Sequence, residues 1–254
     1  MINASAFICE PLLYKKDCYI YPPTVKEVTK DPFFAQYLKI LTITQEDLND
    51  LFEDKAMEGQ KIPTPFAFMF GNYLVNEQVR AITEKAFEFF LHQKVTFIAK
   101  AEVVIIGDIN EVASKIETID DLIYLNNENF FEFQNLIRLS IGEDKVEPYV
   151  EKIDEDPRVR ALKAKFRKNR KIVAQVKAKT GQSLSFESSL VAICCMGIGL
   201  TPLNIGEISY ASLGPLIQMY QRKEKYDIDI RSILAGADAK KIKPEYWIGN
   251  LNKN

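Results

Sequence analysis

The sign of the charge inverts at Pro157, and the segment that follows carries a periodic apolar seam. From 143 to 156 there are seven acidic residues against two lysines; from 158 to 179, ten of 22 residues are Lys or Arg. Within the basic stretch, Val159, Leu162, Phe166, Asn169, Val173 and Val176 follow one another at steps of 3, 4, 3, 4 and 3. Such a seam predicts an α-helix lying against a second apolar surface, with the polar Asn169 able to set the register. At a rise of about 1.5 Å per residue the helix would be about 33 Å long. Its second surface has three candidates. One is a helix or acidic face of a partner, and another is the chain's own domain. The third is nucleic acid, for which a basic stripe is the electrostatic footprint, although Phe166 is the only aromatic in it.

The charge inversion also marks a boundary. It divides the sequence into a region at 1–150 and one at 157–254. Over the whole chain Lys+Arg is 33 and Asp+Glu is 35, so no global charge argues for nucleic acid. The longest apolar run, 190–200, is 11 residues, against about 20 for a membrane-spanning helix. No signal peptide is legible at the start. A soluble protein with no membrane partner is the expectation.

Local signals give a mainly α (α+β) class: a helical protein with two small β-hairpins in the N-terminal half and a helical C-terminal half. Residues 6–21 read as two strands around a polar turn at Lys15-Lys16-Asp17. Thr24 reads as the cap of a helix starting at Val25, and a second helix covers 33–41. Thr44 with Asp47 reads as a capping box. Thr64-Pro65 opens a helix expected to run to Leu91. Val95–Ile98 and Val103–Ile106 read as a hairpin, followed by helices at 119–125 and 128–141, the latter ended by Gly142. Ser185 caps a buried helix at 186–196. Gly214-Pro215 opens a last long helix to Ala235, with Gly236 after it and a short tail helix at 239–243.

Little here suggests catalysis. His92 is the only histidine, so a multi-histidine metal site is excluded, and no G-x-S-x-G elbow is present. It is expected at a helix end, where a cation is favourable. Gly197-Ile198-Gly199 lacks the continuation of a phosphate loop. Asp120-Asp121 and the pair Asp227 and Asp229 read as solvated carboxylates. Cys194 and Cys195 read as small buried hydrophobes, and Cys9 and Cys18 as residues able to face each other across a hairpin. The four thiols lack metal-ligand spacing and suggest a reducing, intracellular setting. No catalytic residue, cofactor or metal is assigned. Trp247, with Tyr246, reads either as a partner anchor or as a pin for the tail.

Three stretches carry a family resemblance. They are CYIYPPTVKEVTKDPFFAQYLKILTITQEDL at 18–48, DPRVRALKAKFRKNRKIVAQVKAK at 156–179, and IGEISYASLGPLIQMYQRKEKYDIDIRSILAGADAKKIKPEYWI at 205–248. Their combination resembles proteins of tailed bacteriophages and prophages of low-GC Gram-positive hosts, and is similar to tail assembly chaperones. The resemblance implies a viral, non-enzymatic protein of the host cytoplasm. It would bind the helix-rich tape-measure protein, keep it soluble and help recruit the tail-tube protein. The resemblance makes Tyr220, Tyr226, Asp227, Ile230, Gly236 and Trp247 the most recognisable positions. Tyr220, Tyr226 and Trp247 join the seam residues as candidate partner contacts. A homo-oligomer is compatible with it. The rival expectations are a structural component of the tail or neck, which would stay in the virion, and nucleic-acid binding through 158–179.

Overall fold

In a computed structural model, the described residues are 3–52, 61–107, 122–148 and 185–248, together with Arg158, Lys165 and Asn169. Helices start where side chains can serve the free amides of a first turn. Thr24 Oγ1 accepts from the Glu27 amide, while the Glu27 carboxylate accepts from the Thr24 amide at 2.8 Å. That box opens α2 (Val25–Lys30). α3 (Phe34–Leu41) follows, and Thr44 with Asp47 forms the same box ahead of α4 (Gln45–Leu51). Thr64 caps α5 (Pro65–Val75), with proline at the first turn, where its missing N–H costs nothing.

Three expectations are corrected. The first strand does not begin at residue 6: Asn3 accepts from the Ala6 amide and starts the one-turn α1 (Ala4–Phe7). Only Leu12–Lys15 (β1) and Cys18–Ile20 (β2) form the first hairpin. The helix opened by Pro65 does not reach Leu91 unbroken. Asn76 is extended, and its Oδ1 accepts from the Gln78 and Val79 amides, so it caps a new helix, α6 (Glu77–Leu91). An Asn side chain competes for backbone donors in this way and favours caps over helix interiors. Finally, Tyr124–Leu125 is not helical but a strand, β5, which joins β3 (Val95–Ile98) and β4 (Val103–Ile106) in one antiparallel sheet of order β3-β4-β5. The rest of the expected 119–125 helix, except 122 and 123, lies outside the described residues.

The core is built of aromatic rings. Phe87, Phe90 and Leu91 of α6 are fully buried against Tyr37 and Leu41 of α3. On the other side they meet α7 (Phe130–Ser140), where Phe133 stacks on Phe87 at 5.6 Å between centroids. Each such side chain contributes roughly 1.5–3 kcal/mol by leaving water. Leu125 and Val104, paired across β4 and β5, close the layer beneath.

The chain after Ser185 forms α8 (Phe186–Cys195), two 3₁₀ turns (Ile205–Glu207 and Tyr210–Ser212), the 22-residue α9 (Leu213–Leu234) and α10 (Ala239–Ile242). Its C-terminal half is thus helical, and the protein as a whole is mainly α with two small antiparallel sheets. The 208–211 stretch is tied to the N-terminal segments by backbone bonds. Val25 N–H donates to Ile208 O and Tyr210 N–H to Pro23 O, both at 2.9 Å. The Ser209 hydroxyl donates to Ala6 O at 2.5 Å. Around this seam Val25, Ile193, Ile205 and Leu213 make a second, smaller core. The boundary expected at 150–157 lies outside the described residues. Among the described residues no helix is long and apolar enough to cross a membrane.

Candidate partner-binding surface

The candidate surface is carried by α8, the 197–204 loop, α9 and the tail. Ser185 caps α8 through the Ser188 amide. α8 is not the buried helix expected: Ile193 is its one buried residue, and Val191 is exposed. Cys194 is half-buried and packs against the second core, whereas Cys195 is exposed, which corrects the reading of Cys195 as a buried hydrophobe. Adjacent helical positions point about 100° apart at 3.6 residues per turn, so two neighbours of Ile193 cannot both share its face.

Gly197 and Gly199 have φ of +69° and +84°, left-handed values that glycine adopts without strain, and they turn the chain out of α8. The loop beyond is pinned by Asn204, whose Oδ1 accepts from the Thr201 amide at 2.7 Å and whose Nδ2 donates to Gly199 O. At its tip Leu203 is 96% exposed.

Leu213 is the one buried residue of α9. Along the rest of its length Leu216, Met219, Lys223, Tyr226, Ile230 and Ile233 are half-buried, at steps of 3, 4, 3, 4 and 3. This second seam was missed in the sequence reading, although its spacing was there to be counted. Lys223 makes a salt bridge with Asp227 at 2.9 Å, which raises its pKa. The outer face is wet: Ile228 is 58% exposed and Leu234 82%. Tyr220 is half-buried, and a hydrogen bond with Glu224 raises its hydroxyl pKa. Gly236, at φ +100°, ends the helix. In the tail, Tyr246 packs edge-on to Tyr226 at 5.6 Å and Trp247 lies beside Tyr246 at 6.3 Å. Tyr226, Tyr246 and Trp247 are therefore brought together, while Tyr220 sits nearly two turns earlier on α9. A cavity of about 360 Å³ opens between Ile141, Phe186, Tyr210, Leu213 and Ile217 at the start of α9.

Of the seam expected in the basic segment, Asn169 is described; it is helical and exposed, as are Arg158 and Lys165. Val159, Leu162, Phe166, Val173 and Val176 lie outside the described residues.

His92 caps α6 in a left-handed conformation (φ +53°) and its ring stacks on Tyr21 at 4.1 Å. Cys9 has φ +60° after α1 and a hydrogen bond with Ser209, and it does not pair with Cys18; all four thiols are free. Burial raises the Cys9 pKa, against the lowering effect of its hydrogen bond with Ser209, and pushes Cys18 up to about 11. Among the described residues no group of three His, Cys, Asp or Glu could hold a metal ion.

No family model matches the chain, and no curated protein or solved structure matches it.

Proposed function

We propose that this chain is a non-enzymatic tail assembly chaperone of a tailed phage, working in the host cytoplasm and holding the tape-measure protein while tail-tube subunits assemble. The reading rests on the resemblance of 18–48, 156–179 and 205–248 to that family. The structural observation that supports it is how the third stretch presents apolar surface. Ile228, Leu234, Tyr246 and Ile248 are all exposed, and all belong to 205–248 or directly bound it. Leu203 and Val191 of the same half are exposed as well, so apolar side chains of the C-terminal half are open to an amphipathic partner helix. A long helical client that must stay soluble is the kind of partner such a surface suits.

The test is a tagged pull-down from phage-producing cells, with purified particles blotted in parallel. Recovery of a long tape-measure-like protein with no signal in the particles is the expected result. A stoichiometric signal in the particles would replace the chaperone with a structural tail or neck component. Retention of DNA or RNA that falls steeply with salt would replace it with nucleic-acid binding.

A further inference from the structure

β3 is an edge strand: the sheet order is β3-β4-β5, so only one side of it is paired. Its register sets Val95 against Ile106, Thr96 against Ile105, Phe97 against Val104 and Ile98 against Val103. One residue beyond, the Gly107 amide donates to Lys94 O at 2.7 Å, whereas the Ile106 amide turns the other way, to Ile123 O next to β5. Backbone groups alternate sides along an antiparallel strand. Thr96 and Ile98 therefore use theirs on β4, and those of Val95 and Phe97 point outward. Among the described residues, none is hydrogen-bonded to the amide or carbonyl of Val95 or Phe97. Val95–Ile98 is β-branched and aromatic throughout, with no charge and no proline to blunt it. Such an edge is a template for another strand.

We propose that the occupant of this edge is β3 of a second copy, paired antiparallel about a two-fold axis through Thr96. In that register the edge is complementary to itself. Val95 of one copy lies opposite Phe97 of the other, so every outward N–H of the two residues meets an outward C=O, closing four hydrogen bonds between the copies. Two three-stranded sheets become one of six strands, in the order β5-β4-β3-β3-β4-β5. A register centred on Phe97 would set Val95 against Ala99, and one centred on Val95 would set Phe97 against Gln93, both outside the strand. The side chains agree. Thr96 faces Thr96 across the axis, a favourable cross-strand pair. Lys94, the charge next to the strand, falls opposite Ile98, so the two lysines stand about 13 Å apart along the strands. The flank of the edge is apolar too. Tyr73 of α5 stacks on Phe97 with ring centroids 3.5 Å apart. Just after it Leu74 is 42% and Val75 83% exposed. Paired strands share their faces, so the axis brings this end of α5 from both copies to one side of the joined sheet. One patch then serves both copies, and the assembly closes at two.

The pairing does not depend on the tail-assembly reading, and the purified chain with no client suffices to test it. Sedimentation of the full-length chain over a range of concentrations, with amide hydrogen exchange followed alongside, is the measurement. A dimer is expected. In it the Val95 and Phe97 amides exchange slowly and lose that protection on dilution to monomer, while the Thr96 and Ile98 amides, held by β4, stay protected throughout. Val95→Pro removes an outward N–H and keeps the bonds to β4, so it is expected to give a folded monomer. Thr96→Cys, with Cys194 and Cys195 replaced by serine, is expected to form a disulfide between two copies under mild oxidation, mapped to position 96 in both. Opposed residues of a non-hydrogen-bonded pair stand about 4.5 Å apart at Cα, within disulfide reach.

A chain that sediments as a monomer, a dimer that Val95→Pro leaves intact, or Val95 and Phe97 amides that exchange alike in dimer and monomer would overturn the proposal. So would a monomer in which those two amides become protected only on binding a client, which would give the edge to a strand of that client. If Val95→Pro fails to fold by circular dichroism, the exchange pattern and the disulfide at position 96 decide without it.

Discussion

Gln134 shows how much one side chain can hold. It is 5% exposed, and its Nε2 donates at 3.0 Å both to Leu41 O and to Ile43 O. These are carbonyls at and just beyond the end of α3, which a helix leaves without internal donors. Arg138, one turn further along α7, reaches Thr42 O in the same group. Replacing Gln134 with leucine keeps the volume but leaves two carbonyls short of a donor. A loss of about 2 kcal/mol is expected, read from urea denaturation with the slope unchanged. A variant as stable as the parent would mean water replaces the amide without cost. Nothing in the sequence marks Gln134, because its partners lie more than 90 positions away.

At the scale of elements, legibility followed locality. The caps at Thr24, Thr44 and Thr64, and the hairpin of β3 and β4, are decided by residues within a few positions of one another, and the sequence displays them. Asn76 is local too, but its cap competes with a run of apolar residues that continues through it, and the apolar period dominated the reading. β5 is the opposite case. Tyr124 and Leu125 become strand only because β4 offers a free edge some twenty positions earlier. Cys195 was misjudged because an apolar run was read as burial on every side. Of the candidate surface, Tyr226 and Trp247 were nominated and are brought together through Tyr246, whereas the α9 seam was present in the sequence and went uncounted.

Gly142 joins two elements. It follows α7 at φ +82°, and a Cβ there would stand 2.8 Å from Ala211 O in the second 3₁₀ turn. Both the backbone conformation and the close approach require glycine. Gly142→Ala is expected to cost about 2 kcal/mol or more and to lower the melting temperature by several degrees. An unchanged melting curve would show that the 210–212 turn can move off the end of α7 freely.

Across the whole molecule, several buried or half-buried groups resist ionisation together. Burial pushes the Cys18 thiol up to about 11 from 9.0; burial and a hydrogen bond with Glu84 take the Tyr73 hydroxyl from 10.0 to about 12. Tyr14 and Tyr37 are shifted upward too, chiefly by burial. In the unfolded chain these groups lose their protons near their ordinary values. Between pH 9 and about 12 the native state therefore holds more protons than the unfolded state, and stability falls as pH rises. The melting temperature is expected to be insensitive to these groups below pH 9 and to drop progressively above it. A melting temperature that held steady up to pH 11 would contradict the burial of these hydroxyls and the thiol.

The bond from Ser209 to Ala6 spans 203 positions. On a ribosome adding about 5–20 residues per second, Ala6 is made roughly 10–40 s before its partner exists. For that interval the Pro23 carbonyl waits for Tyr210, and the Ala6 carbonyl, which accepts from the Cys9 amide, waits for its second donor in Ser209. The newborn chain is therefore itself in need of shelter until its last quarter has emerged.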